Sequence, residues 1–198
     1  MGVIWTVPGF LGQPSDWDFL PWPHRTWSEG AGSADDVIIG YSMGGRRALA
    51  ETHRFAKAVI VSAGLNAPDP ERRLRDEEWA QRFESEEWES LMSAWNAQPV
   101  FGGHRVERNE AEFDRRELAR MLREWSPAVL PPPELESIET PLLWVAGERD
   151  AKYVDIARSA VSRLRRGELW ICPGAGHRVP WEQPAAFVTR LRDFLELQ

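Results

Sequence analysis

Three residues far apart in this sequence have the types needed to activate a hydroxyl: Ser42, Asp150 and His177. A serine hydroxyl is a weak nucleophile and a weak base until a histidine takes its proton and an acid orients that histidine. Ser42 lies in "GYSMGG", behind the apolar run "DVIIG" and ahead of an Ala/Leu/Arg-rich stretch that reads as a helix. Gly40-x-Ser42-x-Gly44 at such a junction is the nucleophile-elbow pattern, where larger side chains would block the sharp turn that lifts the serine out of a sheet. The same letters also describe a glycine-rich loop with an incidental serine. Asp150 ends "LLWVAGERD" and His177 ends "LWICPGAGH", each just after a run that reads as a buried strand. Alone, Asp150 reads equally as a helix N-cap or solvated acid, and His177 as a surface loop histidine. Together, three correct residue types in the order Ser, Asp, His at three strand ends point to a catalytic triad. A developing oxyanion needs two backbone N–H donors, which this arrangement takes from Met43, after the serine, and from Phe10 in "PGFLG" after the first strand. Pro8 has no N–H, but the required donor lies beyond Gly9.

Five apolar runs must position these residues: Val3–Val7, Val37–Ile39, Ala58–Ser62, Leu142–Ala146 and Glu168–Ile171. Several are continuous rather than alternating, as expected for parallel strands covered on both faces. Helical stretches separate most of them, so the expected fold is α/β, a mostly parallel sheet with helices on both faces. Functional residues in such sheets gather at the carboxyl ends of the strands, which aligns "PGF", "GYSMGG", "SAG", "GERD" and "GAGH" along one rim. Between about residues 66 and 133 no strand-like run occurs, and the stretch is rich in Glu, Arg and Trp. Trp79, Phe83, Trp88, Leu91, Met92 and Trp95 approximate one helical face there, which predicts a helical cap inserted into a single 198-residue domain. The segment from Gly12 to Asp36 has no helical periodicity, although a parallel crossover normally carries a packed helix.

Composition bounds the function. Hydrophobic content is 42%, with 11 Trp, as in a compact globular chain. A net charge of −7 without a Lys/Arg block argues against a nucleic-acid surface. It leaves room for a small anionic ligand held by a local arginine cluster. The single cysteine, Cys172 in "LWICPG", excludes an internal disulfide framework and reads as an inert strand residue. The N-terminal "MGVIWTVPGF" reads as a strand, not a signal peptide or lipidation site, and no stretch approaches a membrane span. The expectation is a cytoplasmic chain without membrane insertion, cofactor or metal, a monomer or homodimer.

The chain resembles the MenH family of menaquinone biosynthesis, within the α/β-hydrolase superfamily. The resemblance rests on "GFLG", "GYSMGGR", "WAQRF", "WNAQPVF", "GERDAKY" and "GAGH" followed by "EQP", spanning about residues 8 to 186. It implies a lyase that eliminates pyruvate from an enolpyruvyl cyclohexene acid carrying a succinyl group. The triad of Ser42, His177 and Asp150 then serves as a base toward a carbon-bound proton, with no acyl-enzyme. The resemblance also implies arginines for the polycarboxylate substrate: Arg46 at the "GGR" position, Arg72 in "PERRLRDEEW" and Arg108 further on. Tyr41 and Trp95 match family pocket positions; Trp95 reads equally as cap-core packing. Two features depart from the family's pattern. Pro8 stands where the family usually has a histidine, and the spacing from "GFLG" to "GYSMGG" is roughly half the family's. That shortening predicts five strands in sequential order, with the first exposed at an edge and open to dimerisation. The rival readings are a serine hydrolase (an esterase or carbon–carbon hydrolase) acting through an acyl-enzyme, and a non-catalytic ligand-binding homologue.

Overall fold

A computed structural model describes residues 2–65 and 68–196. Asn66, where the expected insertion begins, lies outside the described residues. The chain divides into two compact units, one of Met1–Gly64 with Pro133–Gln198 and one of Leu65–Pro132.

The first unit is built on a six-stranded, wholly parallel sheet among the described residues. Its strands are β1 (Ile4–Val7), β2 (His24–Thr26), β3 (Val37–Tyr41), β4 (Lys57–Val61), β5 (Leu142–Gly147) and β6 (Gly167–Cys172). The order across the sheet is β2-β1-β3-β4-β5-β6. Every residue of β3 and β5 is buried, which is why their sequences are continuous apolar runs without alternation. Helices α1 (Met43–Glu51) and α5 (Ala151–Val161) follow β3 and β5, and α6 (Val179–Glu182) and α7 (Pro184–Leu195) follow β6. The core gathers Ile4, Ile39, Val59, Leu143, Phe187 and Leu191 with Trp17, which is fully buried.

The expected five strands with β1 at the edge are overturned. β1 pairs on both sides, with β3 and with β2, in the register Ile4↔His24 to Thr6↔Thr26. The sixth strand comes from the segment that shows no periodicity. Its sequence, His-Arg-Thr, is too short and too polar to announce itself, and Arg25 and Thr26 are exposed. A three-residue edge strand carrying an exposed arginine is also a poor template for pairing with another chain. The crossover into it holds a 3-10 turn, Pro14–Trp17, instead of an α-helix, and is anchored by burial of Trp17 and Leu20.

The second unit contains α2 (Pro70–Ser85), α3 (Trp88–Asn96) and α4 (Arg115–Glu124) and, among its described residues, no strand. The expected single helical face is split: Trp79 and Phe83 belong to α2, and Trp88, Leu91, Met92 and Trp95 to α3. The break falls where Glu87 turns extended and caps α3 by accepting from the backbone N–H of Glu89 and Ser90. The rings still converge: Trp95 meets Trp79 edge-on at 4.9 Å and Phe83 at 5.5 Å between centroids.

Candidate active site

The end of β3 runs into α1 through Ser42, whose backbone sits at φ 52°, ψ −116°. A non-glycine residue in that region is strained and persists only when its surroundings over-determine it. Here they do. The Ser42 N–H donates to Val61 O (2.8 Å), and the Ser42 carbonyl accepts from the N–H of Arg46 (3.2 Å). Gly44 lies so close to the end of β1 that an added Cβ would collide with the carbonyl oxygens of Val7 and Pro8. The "GYSMGG" glycines are therefore the condition for seating α1 against the sheet.

Asp150 occupies the N-cap position of α5, accepting from the N–H of Tyr153 and Val154 through its backbone carbonyl (both 2.9 Å). Its carboxylate caps nothing. It instead accepts from His177 Nδ1 at 2.7 Å. A carboxylate can only accept, so Nδ1 carries the proton and Nε2 is left to accept from the Ser42 hydroxyl, at 3.3 Å. His177 is 2% exposed. Ser42, His177 and Asp150, each predicted at a strand end, thus form one continuous hydrogen-bonded relay. Such a relay can deliver a hydroxyl oxygen as a base or as a nucleophile.

Aromatic rings fix the imidazole. Tyr153 meets it edge-on at 4.4 Å, and Tyr41, directly before the serine, lies at 5.6 Å. Trp181 packs on Tyr41 at 4.7 Å and on Trp17 at 5.4 Å, and its Nε1 donates to Asp16 O at 2.7 Å. Burial pushes the Tyr41 phenol well above its ordinary range, against the neighbouring Arg178 cation. It is a neutral hydroxyl at any physiological pH. Tyr153 and Trp181 were not among the residues expected from sequence. Both lie within or beside the motifs "GERDAKY" and "GAGH" before "EQP", but nothing in their residue types announced that Tyr153 would meet His177 or that Trp181 would pack on Tyr41.

The remaining predicted residues fall in different settings. Phe10 lies in the turn after β1, and Met43 is the buried first residue of α1. Arg46 is 5% exposed, and desolvation pulls its guanidinium below the ordinary arginine value. It is not a solvated helix residue. Arg72, Trp95 and Arg108 belong to the second unit. Arg72 donates from Nε to Asp76 within α2 at 2.8 Å. Trp95 sits in the aromatic cluster described above. The Arg108 carbonyl accepts from Trp88 Nε1 at 2.7 Å. Among the described residues no group of three or more His, Cys, Asp or Glu is arranged to hold a metal, and no helix is long and apolar enough to cross a membrane.

Comparison with known proteins places this geometry in context. Residues 2–190 match the profile of the Alpha/beta hydrolase family. The chain is 33% identical over 175 residues to the 2-succinyl-6-hydroxy-2,4-cyclohexadiene-1-carboxylate synthase of Serratia proteamaculans, covering 80% of this chain and 67% of that protein. The protein of the same name from Enterobacter sp. is 31% identical over 177 residues, covering 81% and 67%. Among solved structures, MenH from S. aureus superposes with a TM-score of 0.81 at 20% identity, covering 98% of this chain and 93% of that one. A thermophilic esterase from Thermogutta terrifontis superposes with a TM-score of 0.68 at 18% identity, covering 98% and 89%.

Proposed function

This chain belongs to the alpha/beta hydrolase family, and from that membership we propose that it is a MenH-type carbon–oxygen lyase. Its reaction is elimination of pyruvate from 2-succinyl-5-enolpyruvyl-6-hydroxy-3-cyclohexene-1-carboxylate. The observation that carries the proposal is the set of relatives named for the product of that step, joined to an intact Ser42–His177–Asp150 relay.

The names of substrate and product define the chemistry. The ring double bond at C3 becomes a 2,4-diene, so the proton lost is on C2 and the departing oxygen is on C5. The C2 proton is acidified by the succinyl ketone beside it. In the proposed step Ser42 removes that proton as its own proton passes to His177 Nε2, and Asp150 stabilises the resulting imidazolium. The C2–H electron pair forms C2=C3, the C3=C4 pair shifts to C4=C5, and the C5–O bond breaks to release pyruvate as its enolate. The proton held on the His177 imidazolium is then returned, giving the enol and resetting the relay. Negative charge developing on the ketone oxygen falls to the backbone N–H groups of Phe10 and Met43. The substrate bears carboxylates on the ring, the succinyl arm and the enolpyruvyl group, which suits arginine's bidentate fork. Arg46, buried and desolvated on α1, is assigned to one of them. Assignment of Arg72, Trp95 and Arg108 rests on the family resemblance alone, whereas the reading of the second unit as a cap on a single domain rests on its strand-free, helical sequence pattern. A cytoplasmic monomer or homodimer acting on a free small molecule completes the proposal.

The test offers the enolpyruvyl substrate and simple aryl esters to the same preparation. Pyruvate release without a burst, and without a trappable serine adduct, is the expected result. Efficient ester cleavage through a Ser42 adduct, with no pyruvate formed, assigns the chain to the serine hydrolases instead. Binding without turnover of either substrate leaves a ligand-binding homologue.

A further inference from the structure

Two motifs that mark this sequence, "GERD" and "EQP", contribute only Asp150 to the triad; Glu148, Arg149 and Glu182 have no part in it. They converge on the two loops that carry Asp150 and His177. The Glu182 carboxylate, 9% exposed, accepts from the backbone N–H on either side of the histidine: Gly176 N to Oε2 (2.8 Å) and Arg178 N to Oε1 (3.0 Å). Oε2 also accepts from Nη2 of Arg149 at 3.0 Å, the residue before Asp150. In the reverse direction, the Glu148 carboxylate accepts from Gly174 N (2.9 Å), and the N–H groups of Glu148 and Arg149 donate to the carbonyls of Cys172 (3.0 Å) and Ala175 (2.9 Å). The acid loop and the histidine loop are stitched from both sides.

We propose that Glu182 is a positioning residue: through one carboxylate it sets the His177 loop and, through Arg149, locks that loop in register with Asp150. The proposal takes Ser42–His177–Asp150 as the working relay, and so rests on the reading above. A charged acceptor is required for a chemical reason. Three N–H donors converge on two oxygens, and charge-assisted bonds to a carboxylate are shorter and stronger than those to a neutral amide. A glutamine has one acceptor oxygen and an NH2 group, so at least one of the loop N–H groups would face a donor. A histidine released from its alignment loses rate steeply, because misplacing a reacting group by about 1 Å costs on the order of 100-fold.

The experiment follows the downfield proton resonance of the His177 Nδ1–H···Asp150 bond together with steady-state kinetics of pyruvate release. In Glu182→Gln, a volume-conserving change, that resonance is expected to move or broaden, and kcat to fall by about 100-fold while KM stays within about twofold. An unperturbed resonance with wild-type kcat in the folded variant overturns the proposal. So does an unperturbed resonance with a large rise in KM, which would make Glu182 a substrate contact. Should Glu182→Gln fail to fold, Arg149→Gln carries the test, because that guanidinium is 65% exposed and exposed ion pairs contribute little to stability. There a shifted resonance and a kcat loss of roughly 3- to 10-fold support the proposal, and no change in either overturns it. The resonance is read without substrate, so wild-type protein that releases no pyruvate defeats the elimination reading while Glu182 is still judged on its own.

Discussion

The two units are held together by different physics. In the sheet unit, cohesion comes from a sheet whose β3 and β5 are buried end to end. Surface pairs such as Arg163–Glu136 and Arg190–Glu168 lie outside that core, and a few polar groups are sequestered: His177, Arg46, Arg178 and the nearly buried Glu182. In the helical unit an aromatic cluster is framed by ion pairs. Arg123 of α4 reaches both Glu77 and Glu84 of α2, at 2.7–3.0 Å. Arg82 pairs with Glu86 at 2.6 Å, and Arg120 with Glu117 and Glu124. Arg115 donates to the carbonyls of Phe83 and Glu86. The contrast shows that arginine content is a poor count of ligand-binding cations. In the helical unit many arginines answer glutamates of the same unit, whereas Arg46 in the sheet unit lies in a desolvated setting, where a charge is costly unless it is paired and hydrogen-bonded.

The contrast is broken or sharpened most strongly at the relay itself. Ser42→Ala and His177→Ala should each lower turnover by about 1,000-fold or more, and the double variant should be little worse than either, because groups acting as one unit are not additive. Losses that multiply in single-turnover measurements would separate the two residues. Next in size, Arg46→Ala should lower kcat/KM by about 2–4 kcal/mol of transition-state stabilisation, with Arg46→Lys recovering part of it. Wild-type kinetics in Arg46→Ala would leave that arginine a packing role.

Smaller effects are expected in the helical unit. Arg123→Met should lower the melting temperature by about 2–4 °C at neutral pH, an increment that shrinks as salt is added. The Arg123 guanidinium holds the Glu77 carboxyl below its usual range. A depressed folded-state value contributes stability above the unfolded pKa and loses it as pH falls through the folded one. The gap between wild type and Arg123→Met should therefore narrow as pH falls below the ordinary glutamate value of about 4.3, and a gap that does not narrow on acidification would mean that packing, not charge, is lost. The smallest effect belongs to Cys172, the buried last residue of β6, whose thiol is pushed up to about 11 by burial. It should resist iodoacetamide at pH 8 until the protein is denatured; rapid labelling of native protein would show that the sheet unit opens locally.

By itself, the amino-acid sequence determined the parallel α/β architecture and the positions of Ser42, Asp150 and His177, because each follows a run whose apolar continuity is a local property. Continuous burial writes itself into neighbouring residues, and a rim residue is then simply the next one along. Tertiary structure alone decided the rest. The strand His24–Thr26 exists because β1 offers an unpaired edge in the right register, not because three polar residues prefer to be extended. The single helical face expected across residues 79 to 95 became two helices because Glu87 caps a new one. Glu182 became a clamp on the histidine loop, and Tyr153 an aromatic wall of its imidazole, only once β5 and β6 lay side by side and brought two loops, distant in sequence, within hydrogen-bond reach. Periodicity and spacing are readable along a chain, whereas hydrogen-bond partners between distant loops depend on distances that only packing sets.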